Sequence, residues 1–224
     1  MTPFTTRSPR RNRGKLRIDV RVFVTGGGRG FVGGHVVRAL EHAGHDVSCA
    51  WADIRDHAAL ERAVRGCDAV VHVAALYSYV APPSELEAVN VGGTRNVIAV
   101  CRAAGIERLV HTSSAGTCGP VAGRAATEAD APPSWELRVP YKRTKLEAEE
   151  LVLAAAADGL DAVVVNPTTP IGEGDSVPTP TGRMVRSVAA GRYRATLRSG
   201  GLNLVDVHDV ARGHVLALER GRAG

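Results

Sequence analysis

Val22-Phe23-Val24-Thr25-Gly26-Gly27-Gly28-Arg29-Gly30-Phe31-Val32-Gly33 is the stretch on which the fold turns. Its β-branched and aromatic start predicts a strand, and Val36, Val37, Ala39 and Leu40 beyond it recur at helical spacing. A strand that runs through a glycine turn directly into a helix is the opening of a βαβ unit. Gly28-x-Gly30-x-x-Gly33 and Gly27-x-x-Gly30-x-x-Gly33 both fit the pattern in which bare backbone N–H groups at a helix N-terminus receive a pyrophosphate.

Outward from this turn, apolar runs and helical stretches alternate. Residues 47–50 predict a second strand, 58–64 a helix, and Ala69-Val70-Val71-His72-Val73 a strand buried on both faces. Ser84 and Glu87 have capping-box spacing and open a long helix, whose inward face is Leu86, Val89, Val97, Val100 and Cys101. Arg108-Leu109-Val110-His111 is the next strand, residues 141–157 a helix, and 162–165 a strand. A Pro/Gly-rich loop over 167–182, a helix near 183–190, an apolar stretch at 202–205 and a helix over 209–220 complete the chain. The expected fold is α/β, a doubly wound parallel sheet of Rossmann type. Three segments are expected: a disordered basic tail over 1–19, a dinucleotide-binding domain over 20–170, and a partial substrate-binding region over 171–224 packed on it.

The 224 residues carry 28 Lys and Arg against 23 Asp and Glu, a net charge of +5. Arg7, Arg10, Arg11, Arg13, Lys15 and Arg17 account for that excess, since removing these six leaves 22 bases against 23 acids, or −1. With only 4% aromatics, the body of the chain lacks the basic, stacking surface that nucleic acid requires. No apolar run approaches the roughly 18 residues of a membrane span. Cys49, Cys67, Cys101 and Cys118 have neither paired nor metal-like spacing, and read as reduced, mostly buried cysteines of a cytoplasmic protein with no metal.

Tyr141-Lys142-Arg143-Thr144-Lys145 puts a phenol and an ammonium four residues apart on one helix face, where the positive charge is expected to favour the phenolate. Upstream, Thr112-Ser113-Ser114 ends a central strand, the edge at which open parallel sheets bind ligands. Ser114 reads either as a turn cap or as a hydroxyl that holds a substrate oxygen. Behind a glycine turn, the second reading is favoured, giving Ser114, Tyr141 and Lys145 as the catalytic set.

These residues resemble the extended short-chain dehydrogenase/reductase family, the NAD-dependent epimerases and dehydratases. The carriers are the glycine turn, Asp53-Ile54-Arg55-Asp56, His72-Val73-Ala74-Ala75, Asn90-Val91-x-Gly93-Thr94-x-Asn96, Thr112-Ser113-Ser114, Tyr141 to Lys145, and Asn166-Pro167 with the residues to Gly172. Within the family, Pro178 to Arg183 and Leu202 to Val205 look most like hopanoid-associated sugar epimerases and dihydroflavonol-reductase-like proteins. The resemblance implies NAD or NADP as cofactor. Ser114 then orients the substrate oxygen, Tyr141 is the acid/base, and Lys145 is its activator and a ribose ligand. Gly27 or Gly28, Gly30, Phe31, Val32 and Gly33 hold the pyrophosphate. Val73, Ala74 and Ala75 line the cofactor, Asn166 and Pro167 adjoin the nicotinamide, and Asn90 supports the hydrogen-bond network. It also implies a small-molecule substrate and a homodimer formed through the two long helices.

The chain departs from the family pattern in four places. The glycine turn is one residue longer, with Arg29 extra or displaced. Too few residues separate the second strand from Asp53 for a crossover, so one edge strand and its helix are expected to be missing. Asp53 consequently has two readings, with Ile54 beside it: the adenine-side acid by motif, or the ribose-binding acid by spacing, the latter favouring NAD. Asp206 stands where the family usually has His, and the chain stops at Gly224, short of elements expected to complete substrate recognition. The expected function is an NAD(P)-dependent epimerase or reductase. The alternative is a catalytically impaired relative serving as a binding or interaction module.

Overall fold

Val22, Phe23 and Val24 of strand β1 (Arg21–Thr25) are at most 1% exposed, because helices cover both faces of the sheet in which β1 lies. The computed structural model describes residues 20–28, 30–193 and 200–224. The tail expected over 1–19 and Arg29 lie outside the described residues. The sheet also contains β2 (Asp46–Ser48), β3 (Ala69–His72), β4 (Arg108–Thr112) and β5 (Ala162–Val165). Its order is β2-β1-β3-β4-β5 and every pairing is parallel. The doubly wound reading holds.

One face is packed by α1 (Phe31–His42) and α7 (Val207–Arg220), whose Val36, Leu40, Ala211 and Leu218 meet Val22, Val24, Val71 and Val110. The other is packed by α2 (His57–Ala63), α4 (Gly93–Ala104) and α5 (Pro140–Ala157), whose Leu60, Val97, Val100 and Val152 meet Phe23, Val70 and Leu109. Alternate residues of each strand supply the two cores, as a strand covered on both sides requires.

Beyond β2 the described residues contain no further strand in this sheet. The segment after Ser48 leads instead into α2 and on to β3, which pairs directly with β1. The expected loss of an edge unit is therefore observed, and it removes no central pairing.

Several local expectations are corrected. Ser84 and Glu87 form no capping box: α3 (Pro83–Leu86) has Pro82 at its N-cap, no side-chain cap and a proline in its first turn. The long helix then widens into a π-helical stretch at Glu87–Gly92 before α4 begins. Pro140 opens α5 in the same way as α3. The loop expected over 167–182 contains a strand, β6 (Thr169–Ile171), which pairs in parallel with β7 (Leu204–Asp206) as a separate small sheet. Pro170 hid it, because proline within a run argues against a strand, yet it is tolerated in a two-stranded edge. α6 (Pro180–Ala189) starts three residues before expectation, with Thr179 accepting from the Gly182 N–H at 3.0 Å. α7 starts at Val207 because Asp206 caps it, accepting from the His208 N–H at 2.7 Å. Of the four cysteines only Cys101 is buried; the other three are partly exposed, and all four are free.

Candidate active site

The site lies where β1, β3, β4 and β5 end. At the β1 end, Gly26 adopts φ +72, and a Cβ there would stand 3.1 Å from the Cα of Ala74, just beyond β3. Gly30 N–H donates to the Gly26 carbonyl at 3.1 Å, closing the turn. A Cβ on Gly33 would overlap that carbonyl oxygen, and one on Gly27 would lie 2.7 Å from Val37 Cγ2 and 2.8 Å from Cys49 Cβ. The turn's own packing therefore demands these glycines before any ligand does. Gly28 is the least constrained, 3.3 Å from the Cys49 carbonyl oxygen. Gly30 caps α1 without a side-chain hydrogen bond, and the first turn of α1 carries no acid. Phe31, Val32 and Gly33 thus present uncapped N–H groups, a geometry that fits a dinucleotide pyrophosphate.

A line of buried polar groups ties this turn to Tyr141. The N–H groups of Val73 and Ala74 each donate to Thr25 Oγ1 at 3.1 Å. The Thr25 hydrogen therefore goes to His72 Nδ1, 2.8 Å away, which assigns the ring proton to Nε2. Nε2 donates to Thr94 Oγ1 at 3.1 Å, and Thr94 in turn donates to the Asn90 carbonyl at 2.6 Å. The Asn90 side chain accepts from Leu76 N–H at 2.7 Å and donates to Thr144 Oγ1 at 3.1 Å. Thr144 donates to the Tyr141 carbonyl at 3.0 Å. Asn90 is 2% exposed and is the junction of this network.

Ser114 follows β4 and serves two purposes. Its Oγ accepts from Gly116 N–H at 3.1 Å, capping the short 3₁₀ turn Ala115–Thr117, and the same side chain bears on the Tyr141 phenol. The cap reading of Ser114 is borne out. Burial raises the Tyr141 phenol well above its ordinary value, neighbouring Tyr77 and Tyr79 add to this, and Ser114 opposes it. The ring of Tyr141 lies 4.8 Å from Tyr77 and 5.8 Å from Tyr79.

Lys145 shares the helix face of Tyr141 but directs its ammonium to the Thr112 carbonyl at 2.7 Å. Burial lowers its pKa to about 8, and the charge of Glu149 opposes that fall. The expectation that Lys145 holds Tyr141 toward phenolate is thus corrected. Desolvation dominates the phenol, and the ammonium is engaged by the end of β4.

Sequence reasoning missed Glu149. It is 8% exposed and receives hydrogen bonds from Ser113 Oγ, from Thr117 Oγ1 at 2.8 Å and from Asn166 Nδ2 at 2.8 Å. Its spacing of four from Lys145 and eight from Tyr141 was the available signal. Thr25, His72 and Thr94 stood in the quoted motifs, but their contact was not legible there: strand register brings Thr25 to His72, and Thr94 meets His72 from α4. Tyr77 and Tyr79 were also missed.

Asp53 lies past β2, in the turn before α2. Its carboxylate is gripped by Arg55, with contacts of 3.0, 3.2 and 2.6 Å from the guanidinium and 2.9 Å from the backbone N–H. Arg55 accordingly holds the acid below its usual range. Ile54 is 4% exposed and packs so tightly on α4 that a Cβ at Gly93 would overlap its Cδ1. Only the backbone of Ile54 remains for a ligand. Asp56 caps α2 through the Ala59 N–H at 3.0 Å. Pro167 accepts from Ala115 N–H at 2.8 Å, which holds the 166–167 segment beside Ser114.

The sequence profile of the NAD dependent epimerase/dehydratase family matches residues 22–224. The chain belongs to that family. Among epimerase/dehydratase relatives, a dihydroflavonol 4-reductase-like protein of Synechocystis sp. is 41% identical over 220 residues, covering 89% of this chain. The chain spans 63% of that relative's length. The crystal structure of gox2253 is similar at TM-score 0.82 and 37% identity, covering 90% of this chain and 67% of the other. The UDP-glucose 4-epimerase of Thermus thermophilus, in complex with NAD, is similar at TM-score 0.73 and 28% identity, covering 88% and 74% respectively. Among the described residues no helix is long and apolar enough to cross a membrane, and no group of three or more His, Cys, Asp or Glu is arranged to hold a metal.

Proposed function

We propose that the protein is an NAD(P)-dependent epimerase or reductase that acts on a sugar-like or hydroxy-carbonyl small molecule. The observation that carries this reading is the uncapped glycine turn at the N-terminus of α1, with the Ser114 turn and the buried Tyr141 phenol at the ligand-binding edge of the same sheet. When bound, the dinucleotide supplies the hydride donor and acceptor.

In the reductive direction Tyr141 gives its phenolic proton to the substrate oxygen as carbon receives hydride, and in the oxidative direction it takes that proton back. A phenol kept protonated by burial suits the first role. Ser114 would donate a hydrogen bond to the same oxygen, and Lys145, which holds the end of β4, would meet the ribose of the bound dinucleotide. Gly27 or Gly28, Gly30, Phe31, Val32 and Gly33 receive the pyrophosphate. Asp53 and the Ile54 backbone take the adenine side, Val73, Ala74 and Ala75 line the cofactor, and Asn166 and Pro167 adjoin the nicotinamide. Pairing of two copies through α4 and α5 belongs to the same proposal.

Titration of the protein with NADH and NADPH, followed by nucleotide fluorescence, tests the reading. Binding of at least one below millimolar concentration is expected, and failure of both overturns it. With hydroxy-carbonyl substrates, Tyr141→Phe is expected to lower kcat at least about 100-fold, because the proton donor is lost. Dinucleotide binding with no turnover by either protein on any substrate tried supports the interaction-module reading instead.

A further inference from the structure

We propose that Glu149 is a positioning residue of this site, whose carboxylate clamps the strand ends bearing Ser114 and Asn166 and provides the counter-charge for the buried Lys145 ammonium; this rests on the function proposed above.

Glu149 lies one helical turn beyond Lys145 on the same face of α5, where side chains four apart are neighbours. It receives hydroxyl donors from Ser113 and Thr117, on either side of Ser114, and an amide donor from Asn166, just past β5. The Asn166 amide also lies 3.0 Å from Thr117 Oγ1 and 3.4 Å from the Ser114 carbonyl. One buried carboxylate thus joins the two loops that flank Tyr141. A buried acid is costly unless paired, and the donors that satisfy this carboxylate come from both loops, so they fix the loops relative to α5.

The groups facing Lys145 define its charge partner. From β4 come the Thr112 carbonyl and His111, and from β3 comes His72. Burial keeps both histidines neutral. Tyr141 is neutral on α5, and His214 of α7 bears on His111 from behind. Glu149 is the carboxylate one helical turn from Lys145 on the same face of α5, and its charge opposes the fall of the Lys145 pKa.

The chain contains three lysines, Lys15, Lys142 and Lys145. NMR titration of protein labelled at lysine Cε therefore isolates Lys145, with Lys145→Met to assign the signal. In Glu149→Gln the midpoint of Lys145 is expected to fall by about one pH unit or more, as for loss of a nearby opposite charge. Glu149→Asp keeps the charge and is expected to restore most of the wild-type midpoint. An unchanged midpoint in Glu149→Gln overturns the proposal. If Glu149→Gln does not fold by circular dichroism, Glu149→Met takes its place, since it removes the charge and leaves no polar group to satisfy; an unchanged Lys145 midpoint in that variant overturns the proposal. The readout needs neither cofactor nor turnover, so its failure is distinct from failure of the proposed function. In an active enzyme, the pH profile of kcat is expected to move with the Lys145 midpoint in Glu149→Gln.

Discussion

At Tyr141 and Lys145 the decisive quantity is burial. Both groups are desolvated, so the phenol rises and the ammonium falls, each toward its neutral form. For Lys145 this has a thermodynamic consequence. Between about 8 and its ordinary 10.5, the native protein has released a proton that the unfolded chain still holds, so this group's contribution to stability rises with pH across that window. Urea unfolding of the wild type and Lys145→Met should diverge accordingly, with the wild type gaining about 1–2 kcal/mol relative to the variant between pH 8 and 9.5. Gly33 poses a steric question instead. Its Cβ would overlap the Gly26 carbonyl oxygen, and Gly33→Ala is expected to destabilise by about 2–3 kcal/mol whether or not a dinucleotide is present. A loss seen only as weaker dinucleotide binding, with thermal stability unchanged, would contradict this packing account.

At the scale of elements, α7 shows how a departure from family pattern can be local chemistry. Asp206 stands where the resemblance leads one to expect His, and it caps α7 through the His208 N–H. Asp206→Ala is expected to cost about 1 kcal/mol in unfolding experiments. Gly213, in the interior of the same helix, has nothing within 4 Å of the position an added methyl would take, so Gly213→Ala is expected to stabilise by about 0.5–1 kcal/mol. The strands of the main sheet were legible because burial on both faces makes them continuous apolar runs. β6 was not, because its three residues contain Pro170 and its stability depends on a partner more than thirty residues away.

At the scale of the whole molecule, three buried histidines tie stability to acid. Burial lowers His72 to about 3, and His111 and His214 are lowered by the same cause. Below 6.5 the unfolded chain takes up protons that the native protein refuses, so stability is lost as pH falls, from 6.5 down to about 3 for His72. His111 has no hydrogen-bond partner on either ring nitrogen. Its replacement in His111→Leu therefore breaks no hydrogen bond, and it should shrink the difference in unfolding free energy between pH 7 and pH 5 by about 1–2 kcal/mol. An unaltered pH dependence in that variant would show that His111 takes no part in it.

The sequence by itself determined the doubly wound sheet, the glycine turn and the common helix face of Tyr141 and Lys145, because each is written in residues near one another along the chain, as strand periodicity, close-packed glycines or i,i+4 spacing. Only the tertiary structure decided the rest. Strand register aligned Thr25 with His72 and His72 with His111, and so built the polar line to Asn90. Convergence of β4, β5 and α5 made Glu149 a hub, and burial rather than a neighbouring ammonium came to govern the Tyr141 phenol. Desolvation and pairing across strands depend on which segments meet in space, and neither is expressed in local sequence.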